Sequence, residues 1–147
     1  MTSPAVGRPV AAVLAVVIRG GEALLVRRAN PPDAGLWGFP GGKIEAGETI
    51  HAAAARELLE ETGVRATPQL AFASLDALDY DADGRLRSHY VLIAVLCRWQ
   101  AGEPVAGDDA LEARWVPLAT LSDGTLELIC DVAEVAATAA SLSDARS

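Results

Sequence analysis

Apolar residues near the start of the chain follow the pattern of two paired strands. Val10–Ile18 is an unbroken apolar run rich in valine, which is typical of a strand buried on both faces. Residues 19–21 contain two glycines and precede a second strand over Glu22–Arg28, so we expect these strands to form a hairpin. Residues 1–9 contain two prolines and one glycine and are predicted to form a flexible arm.

The pattern predicts three more strands in the second half of the chain. Gln69–Leu78 and His89–Trp99 are separated by the polar segment Asp79–Gly84, which suits the tip of a hairpin. Arg114–Val116 is a short apolar strand that ends at Pro117, because proline cannot donate to a strand ladder.

Two segments are predicted to be helical. In the first, Thr49–Thr62, Thr49 can cap the start and Gly63 stands where a left-handed residue ends a helix. The second, Leu126–Ala140, is apolar and rich in alanine, and we expect it to cover one face of the sheet.

Between strand and helix, Asn30–Gly42 combines prolines and glycines with large apolar residues. Proline and glycine exclude a regular helix or a central strand there. Leu36, Trp37 and Phe39 indicate that the loop is nonetheless packed against the protein. An ordered loop of this kind is often functional.

Length and composition predict one globular domain. The chain has 147 residues, of which 51% are hydrophobic and 22% charged, and we assign residues 10–142 to a single domain. The net charge is -8, and the sequence contains no run of Lys or Arg that would form a basic patch. Both observations argue against a nucleic-acid polymer as partner. A small phosphorylated substrate is compatible with that charge, because a bound metal reverses the local sign.

Cellular location is predicted from the absence of targeting signals. No apolar run is long enough to span a bilayer, and the early one lacks the features of a secretory signal, so we expect a cytoplasmic protein with no membrane association. Cys97 and Cys130 have apolar neighbours and are predicted to be reduced, buried thiols.

The predicted helix carries three glutamates at positions that share one face. Glu57, Glu60 and Glu61 stand at i, i+3 and i+4, so their carboxylates are neighbours and repel one another. Mg²⁺ would relieve that repulsion, since it takes oxygen ligands and leaves room for substrate phosphates. A solvated acidic helix face explains the three glutamates alone equally well. We expect Leu58 and Leu59 to point elsewhere and anchor the helix in the core.

A longer pattern favours the metal site. Arg56 precedes the glutamates and can reach Glu60 at i+4, Glu48 stands at the helix start, and Gly41 and Gly42 permit close approach of backbone to a ligand. With its spacing, the set resembles the signature box of the Nudix hydrolases, and it matches every fixed position of that box: Gly42, Glu48, Arg56, Glu57, Leu58, Glu60, Glu61, Gly63 and Val64. The preceding residues 36–42, Arg27–Arg28, and Trp115 with Val116 are also typical of the family.

The resemblance implies a fold, a reaction and a site. The fold would be α/β, an α/β/α sandwich with a mixed sheet. The reaction would be hydrolysis of a nucleoside diphosphate linked to another group, with Mg²⁺ or alternatively Mn²⁺ as cofactor. By position, Glu57, Glu60 and Glu61 would be the metal ligands, together with the carbonyl of Gly41. Arg56 would orient Glu60, and Glu48 would support the site or add a ligand.

Residues outside the box are candidates for further roles. A later acidic residue often acts in this family as ligand or general base, and Asp108, Asp109 and Glu112 are candidates, with Asp109 favoured by its distance from Trp115. A solvated loop acid is the alternative. Arg27 and Arg28 are candidate phosphate ligands, but neighbouring strand residues face opposite sides, so at most one is expected in the site.

Aromatic and histidine side chains are weaker candidates. Phe39 and Trp37 could stack on a base, although core packing is favoured for both. His89 is more simply explained as a strand residue without a catalytic role.

Three functions remain open at the level of sequence. Residues 89–115 resemble the small ADP-ribose pyrophosphatase-like branch of the family, and this resemblance favours hydrolysis of ADP-ribose or a related derivative. A nucleotide-sanitising (d)NTP pyrophosphohydrolase is the alternative, and it would use the same glutamates. A non-catalytic nucleotide sensor is disfavoured because every carboxylate of the box is present. The expected partner is a small nucleotide, and either a monomer or a homodimer is compatible with the sequence.

Overall fold

The computed structural model describes residues 7–107 and 109–146. Residues 1–6 of the predicted arm and the candidate Asp108 lie outside the described residues. The described part contains seven strands and two main helices: β1 (Val10–Arg19), β2 (Glu22–Arg28), β3 (Trp37–Gly38), β4 (Gly41–Lys43), α1 (Ile50–Thr62), β5 (Arg65–Tyr80), β6 (Leu86–Ala101), β7 (Ala110–Pro117) and α2 (Val132–Arg146). A single 3-10 turn, Leu118–Thr120, follows β7.

Strand β1 lies at the centre of a mixed sheet. Along one edge it pairs in parallel with β6, with Val10 opposite Tyr90 and Val17 opposite Cys97. Along the other edge it pairs antiparallel with β4 and, at the predicted hairpin, with β2. The long antiparallel hairpin of β5 and β6 extends the sheet on one side, while β2 pairs with both β3 and β7 on the other.

Alternate residues of β1 contact the two helices on opposite faces of the sheet. Val13, Ala15 and Val17 pack in one core cluster with Ala53, Ala54 and Leu58 of α1. Val16, with Leu14 and Ile18 beside it, packs in a second cluster with Val135 and Ala136 of α2. The strand is therefore buried on both faces as predicted, and each face belongs to a separate layer.

Helix α1 confirms the predicted boundaries and caps. The Thr49 side chain accepts a 3.1 Å hydrogen bond from the Ala52 amide, and Gly63 is left-handed, with its N–H bonded to the Leu59 carbonyl. Leu58 is fully buried. The prediction was wrong for Leu59, which is 37% exposed, because it lies one residue, or about 100° of helix rotation, from the buried face.

The second helix begins six residues later than predicted. Instead of Leu126–Ala140, α2 spans Val132–Arg146, and Asp131 before it has φ of 73°. The apolar residues before α2 have a different role: their segment forms two backbone hydrogen bonds with Trp37, through the Glu127 carbonyl and the Ile129 amide. Leu126, Leu128 and Ile129 pack against the core from that segment, so apolar composition here does not indicate helix.

The structure corrects two further predictions. The proline- and glycine-rich loop contains the short strands β3 and β4, which pair at the margins of β2 and β1. Cys97 is buried, but Cys130 is exposed and lies in the turn that precedes α2. Burial raises the pKa of the Cys97 thiol to about 12. Neither helix of the described residues has the length and apolarity that crossing a membrane requires.

Candidate active site

A cavity of about 800 Å³ opens between α1, the start of α2 and the β5–β6 hairpin. The acidic side chains of α1 line one wall, together with the β3–β4 segment. Apolar residues of β5, β6 and α2 line the opposite wall. The cavity brings together most of the residues predicted for the site: Arg28, Phe39, Gly41, Glu57, Glu60, Glu61 and Asp109.

Arg56 donates hydrogen bonds to several glutamates in and beside this acidic wall. Its Nε and Nη2 donate to the two carboxylate oxygens of Glu48 at 2.6 and 2.8 Å, a bidentate pair. Nη1 donates to Glu57 at 2.8 Å and more weakly to Glu60 at 3.3 Å. The predicted contact between Arg56 and Glu60 is therefore present, and Arg56 holds Glu48 and Glu57 at shorter distances. The Arg56 guanidinium lowers the pKa of Glu48 to about 2.

Glu61 lies deepest of the three helix glutamates that face the cavity. Its Oε2 accepts a 3.1 Å hydrogen bond from the Gly41 amide. Burial raises the pKa of Glu61 to about 7; the Gly41 bond opposes that rise, and the nearby charge of Glu57 adds to it. Weaker charge effects from Arg28 and Asp109 act in opposite directions. The ionised form of Glu61 is thus disfavoured at its position, and a nearby positive charge would stabilise it.

The glycines beside the glutamate helix are required for space. A Cβ on Gly42 would overlap the Glu57 carboxylate, and one on Gly41 would overlap the Val13 carbonyl. The β4 backbone therefore passes closer to both β1 and α1 than any residue with a side chain allows. The structure assigns the Gly41 amide to Glu61, while the Gly41 carbonyl as a metal ligand stays a prediction.

Asp109 is brought to the cavity by a loop that covers the end of α1. The amides of Val105 and Gly107 donate to the Thr62 and Glu61 carbonyls at 2.9 and 2.7 Å, which would otherwise lack helical partners. Asp109 follows and its carbonyl accepts from the Ala29 amide at 3.2 Å. A candidate acid is in this way connected to the backbone of both the glutamate helix and β2.

Only one of the two predicted arginines lines the cavity. Arg28 does so, and its Nε donates to the Pro32 carbonyl at 2.9 Å. Arg27 pairs instead with Glu112 at 3.2 Å. The structure agrees with the prediction that strand alternation admits only one of these arginines to the site. Glu112 forms its ion pair with Arg27 and does not line the cavity.

The aromatic candidates are mainly core residues. Trp37 and Phe39 are 4% and 7% exposed and belong to the core cluster beneath α2, although Phe39 also lines the cavity. His89 forms a 3.4 Å contact with Asp76 and is absent from the cavity lining. Packing is therefore the main role of the loop aromatics.

Sequence reasoning missed the wall opposite the glutamates. It is formed by Leu75 and Ala77 of β5, Tyr90 and Leu92 of β6, and residues 129–132 with Val135. Except for Cys130 and Asp131, these residues are apolar or aromatic. They fall in segments with no catalytic motif, so no signal separated them from ordinary core positions. The strand register that brings β5 and β6 together is what makes them a surface.

The glutamates are adjacent without forming a closed metal cage. Within residues 7–107 and 109–146, no three acidic, histidine or cysteine side chains converge as ready metal ligands. Glu57 is drawn toward Arg56, and the Glu60 side chain is 59% exposed. The donors are nonetheless all hard oxygens on one wall, which suits Mg²⁺ or Mn²⁺ rather than a softer ion.

Comparisons with known proteins agree with this arrangement. The model of the NUDIX domain family matches residues 8–131. The ADP-ribose pyrophosphatase of Methanocaldococcus jannaschii is 36% identical over 113 residues, which cover 77% of this chain and 64% of that protein. The match therefore spans just under two thirds of the archaeal relative. A Mycobacterium tuberculosis protein provisionally named 8-oxo-dGTP diphosphatase 2 is 40% identical over 113 residues, covering 76% of this chain and 75% of that one.

A solved structure shares the fold over nearly its whole length. The crystal structure of the MutT NUDIX hydrolase from Burkholderia pseudomallei superposes with a TM-score of 0.75 at 28% sequence identity. The match covers 88% of this chain and 97% of that one. The expected α/β/α sandwich with a mixed sheet is confirmed.

Proposed function

Because the chain belongs to the NUDIX family of hydrolases, we propose that it cleaves the phosphate anhydride of a nucleoside diphosphate linked to another group. ADP-ribose or a similar derivative is the favoured substrate. The observation that carries the proposal is the division of one cavity into two walls, with Glu57, Glu60 and Glu61 on one and an apolar surface on the other. The first wall suits a phosphate-bound metal and the second suits a base or sugar.

We propose Mg²⁺, with Mn²⁺ as a substitute, as the cofactor. Members of the family generally use divalent metals. Two features of the site support this: the donors are carboxylates, and the Gly42 backbone lies so close to the Glu57 carboxylate that a Cβ there would overlap it. Glu57, Glu60 and Glu61 would hold the metal, with the Gly41 carbonyl as a further ligand. When bound, the metal would neutralise charge on the anhydride oxygens and acidify a water molecule.

The side chains of this chain have distinct tasks in the proposed reaction. Arg28, fixed by the Pro32 carbonyl, would bind a phosphate oxygen and hold the anhydride against α1. Arg56 keeps Glu57 and Glu48 in defined positions at the cavity entrance. Asp109 or one of the helix glutamates would accept the proton of the attacking water. Positioning and preorganised charge would supply most of the rate.

The size of the cavity supports a nucleotide with a substantial second group. Ligand pockets fall in the range of about 300–1,000 Å³, and about 800 Å³ lies in its upper part. The similarity to the archaeal ADP-ribose pyrophosphatase favours ADP-ribose. The similarity to the mycobacterial protein favours a nucleoside triphosphate, so a (d)NTP pyrophosphohydrolase is retained as the second candidate.

Other properties proposed from the sequence are consistent with a small-molecule enzyme. We propose a cytoplasmic protein, monomeric or homodimeric, that binds neither a nucleic-acid polymer nor a membrane. Its net charge of -8 disfavours polyanions. The two cysteines of the described residues are unpaired, as is usual in reducing compartments.

A substrate panel tests the proposal. ADP-ribose, dinucleoside polyphosphates and (d)NTPs are incubated with the protein and Mg²⁺, and the products are separated by chromatography. We expect AMP and ribose 5-phosphate from ADP-ribose. Release of pyrophosphate from a triphosphate at a higher kcat/KM would instead support the second candidate. Absence of turnover on the whole panel, with ligand binding unchanged in Glu60→Gln and Glu61→Gln, would reject both.

A further inference from the structure

A cluster of four side chains lies outside the cavity and connects three strands to the loop that ends in Asp109. Arg19 ends β1, Trp99 is in β6, Trp115 is in β7, and Glu103 is in the loop over residues 102–109. None of the four lines the cavity described above. We refer to these four residues as the Arg19 clamp.

The clamp is held by both stacking and charge. The Arg19 guanidinium lies 4.0 Å from the ring centroid of Trp99 and 5.0 Å from that of Trp115, within cation–π range of both. Arg19 Nη1 donates to Glu103 Oε2 at 2.9 Å, and Trp115 Nε1 donates to Oε1 at 3.2 Å. Both oxygens of Glu103 are thus engaged, and Arg19 holds the pKa of that carboxyl below its usual value.

The loop start has a second attachment to the same cluster. Trp99 Nε1 donates to the Gly102 carbonyl at 2.9 Å. Gly102 is left-handed with φ of 95°, and a Cβ there would approach the Gly63 carbonyl to 3.0 Å. The clamp therefore fixes the loop at the point where it leaves β6 and turns toward the end of α1.

Beyond the clamp, the loop contacts the C-terminal end of α1. Within four residues of Glu103, the amides of Val105 and Gly107 bond the Thr62 and Glu61 carbonyls. A Cβ on Gly107 would overlap the Glu60 carbonyl, so only glycine allows the backbone to lie this close to the end of α1. Asp109 stands two positions beyond Gly107.

We propose that Arg19 and Glu103 are positioning residues that hold residues 102–107 against the end of α1 and thereby fix Asp109, two positions further along, relative to Glu61. The inference rests on the proposed function, because it assigns Asp109 to the hydrolytic site. Neither residue contacts the cavity, so each acts through the loop. Loss of the clamp is expected to lower kcat, while substrate contacts on the opposite wall remain and KM changes little.

The test compares Glu103→Ala with a matched ion-pair control. Asp79→Ala removes an acid from the Asp79–Arg87 pair, which spans 2.9 Å at the tip of the β5–β6 hairpin, away from the loop. Glu103→Ala is expected to lower kcat about tenfold, with KM changed less than about twofold. Glu103→Gln keeps an acceptor for Trp115 and is expected to recover part of the loss. Asp79→Ala is expected to leave both constants unchanged.

Amide hydrogen exchange measures the loop independently of activity. Glu103→Ala is expected to speed exchange of the Val105 and Gly107 amides about tenfold, with no change in the centre of β1. In an Asp109→Asn background, Glu103→Ala should cost no further kcat, since the two would act through one group. Unchanged exchange, a normal kcat despite faster exchange, or additive losses would each overturn the inference. If the wild-type protein turns over no substrate, the proposed function fails and the exchange data alone decide the clamp.

Discussion

The Gly41 amide donates a 3.1 Å hydrogen bond to Oε2 of Glu61, which lies twenty residues further along the chain. This bond joins the β4 backbone to the buried end of the glutamate helix. It is a single neutral donor facing a carboxylate that burial and Glu57 both disfavour, so it offsets only part of the cost of ionising Glu61. Ionisation of Glu61 is therefore unfavourable unless further positive charge lies close to it.

Replacing Glu61 by Gln is expected to stabilise the metal-free protein at alkaline pH. The pKa of Glu61 rises from 4.5 to about 7 on folding, so the folded state binds this proton more tightly than the unfolded state. The associated stability is complete below pH 4.5 and is lost as the pH rises through 7. Gln carries no such penalty, and denaturant unfolding in EDTA should show it more stable at pH 8 by up to about 3 kcal/mol.

The same pair of proteins provides the control. Below pH 4.5 their unfolding free energies should converge, because Glu61 is then protonated in both states. Excess Mg²⁺ should stabilise the wild type more than Glu61→Gln. A Gln variant that is less stable than the wild type at pH 8 without metal would contradict the expectation.

Gly42→Ala is expected to reduce activity without unfolding the protein. The added Cβ would overlap the Glu57 carboxylate, which must turn away from its place between β4 and α1. A displacement of about 1 Å in a catalytic group costs about 10²-fold in rate. Steady-state kinetics should show the loss in kcat. Gly7→Ala is the matched control, since nothing lies within 4 Å of a Cβ there, and equal losses in both variants would remove the steric explanation.

Glu48→Gln is expected to destabilise the protein at neutral pH but not in strong acid. Arg56 lowers the pKa of Glu48 to about 2, so the stability from this pair is present above pH 4.5 and is lost as the pH falls toward 2. Thermal melts across that range should show the difference between variant and wild type shrinking. Glu45→Gln should have a smaller effect, because Glu45 contacts Arg56 at 3.3 Å and is 68% exposed. A constant difference down to pH 2 would reject the pairing as its cause.

Leu58→Ala and Leu59→Ala separate the two faces of α1. Leu58 is fully buried against β1, whereas Leu59 is 37% exposed. We expect the first substitution to cost about 2–5 kcal/mol of unfolding free energy and the second under about 1 kcal/mol. Denaturant titrations measure both. Similar costs would mean that the helix is rotated relative to the structure described.

Local signals in the sequence predicted α1 well because they were redundant. Thr49, Gly63 and the alanine-rich interior each indicate the same helix, and all three agree with the structure. The prediction of α2 was wrong at its start because only apolar composition supported it. Leu128 and Ile129 pack against the core next to Trp37, and Leu128 pairs with it. Trp37 and Leu128 are about ninety positions apart in the sequence, so no local pattern encodes their contact.

The candidate site likewise contains features that local sequence signals predict and features that they do not. The positions of Glu57, Glu60 and Glu61 follow from helix periodicity and could be predicted. The Arg56–Glu60 pair follows from the same spacing, but the shorter contact of Arg56 with Glu48 could not be predicted, because Glu48 precedes the helix and reaches Arg56 only through the turn at residues 45–48. The roles of the site residues, from the metal ligands to Asp109, stay predictions that the experiments above address.

Alternation along β1 has a consequence for how this fold can diversify. Odd-numbered residues support the glutamate helix, and even-numbered residues support the helix that begins at the opposite wall of the cavity. A lineage can therefore accumulate changes beneath one wall while leaving the packing of the other intact. Under the proposed function, substrate preference would change with the apolar wall while the packing beneath the glutamates stays the same.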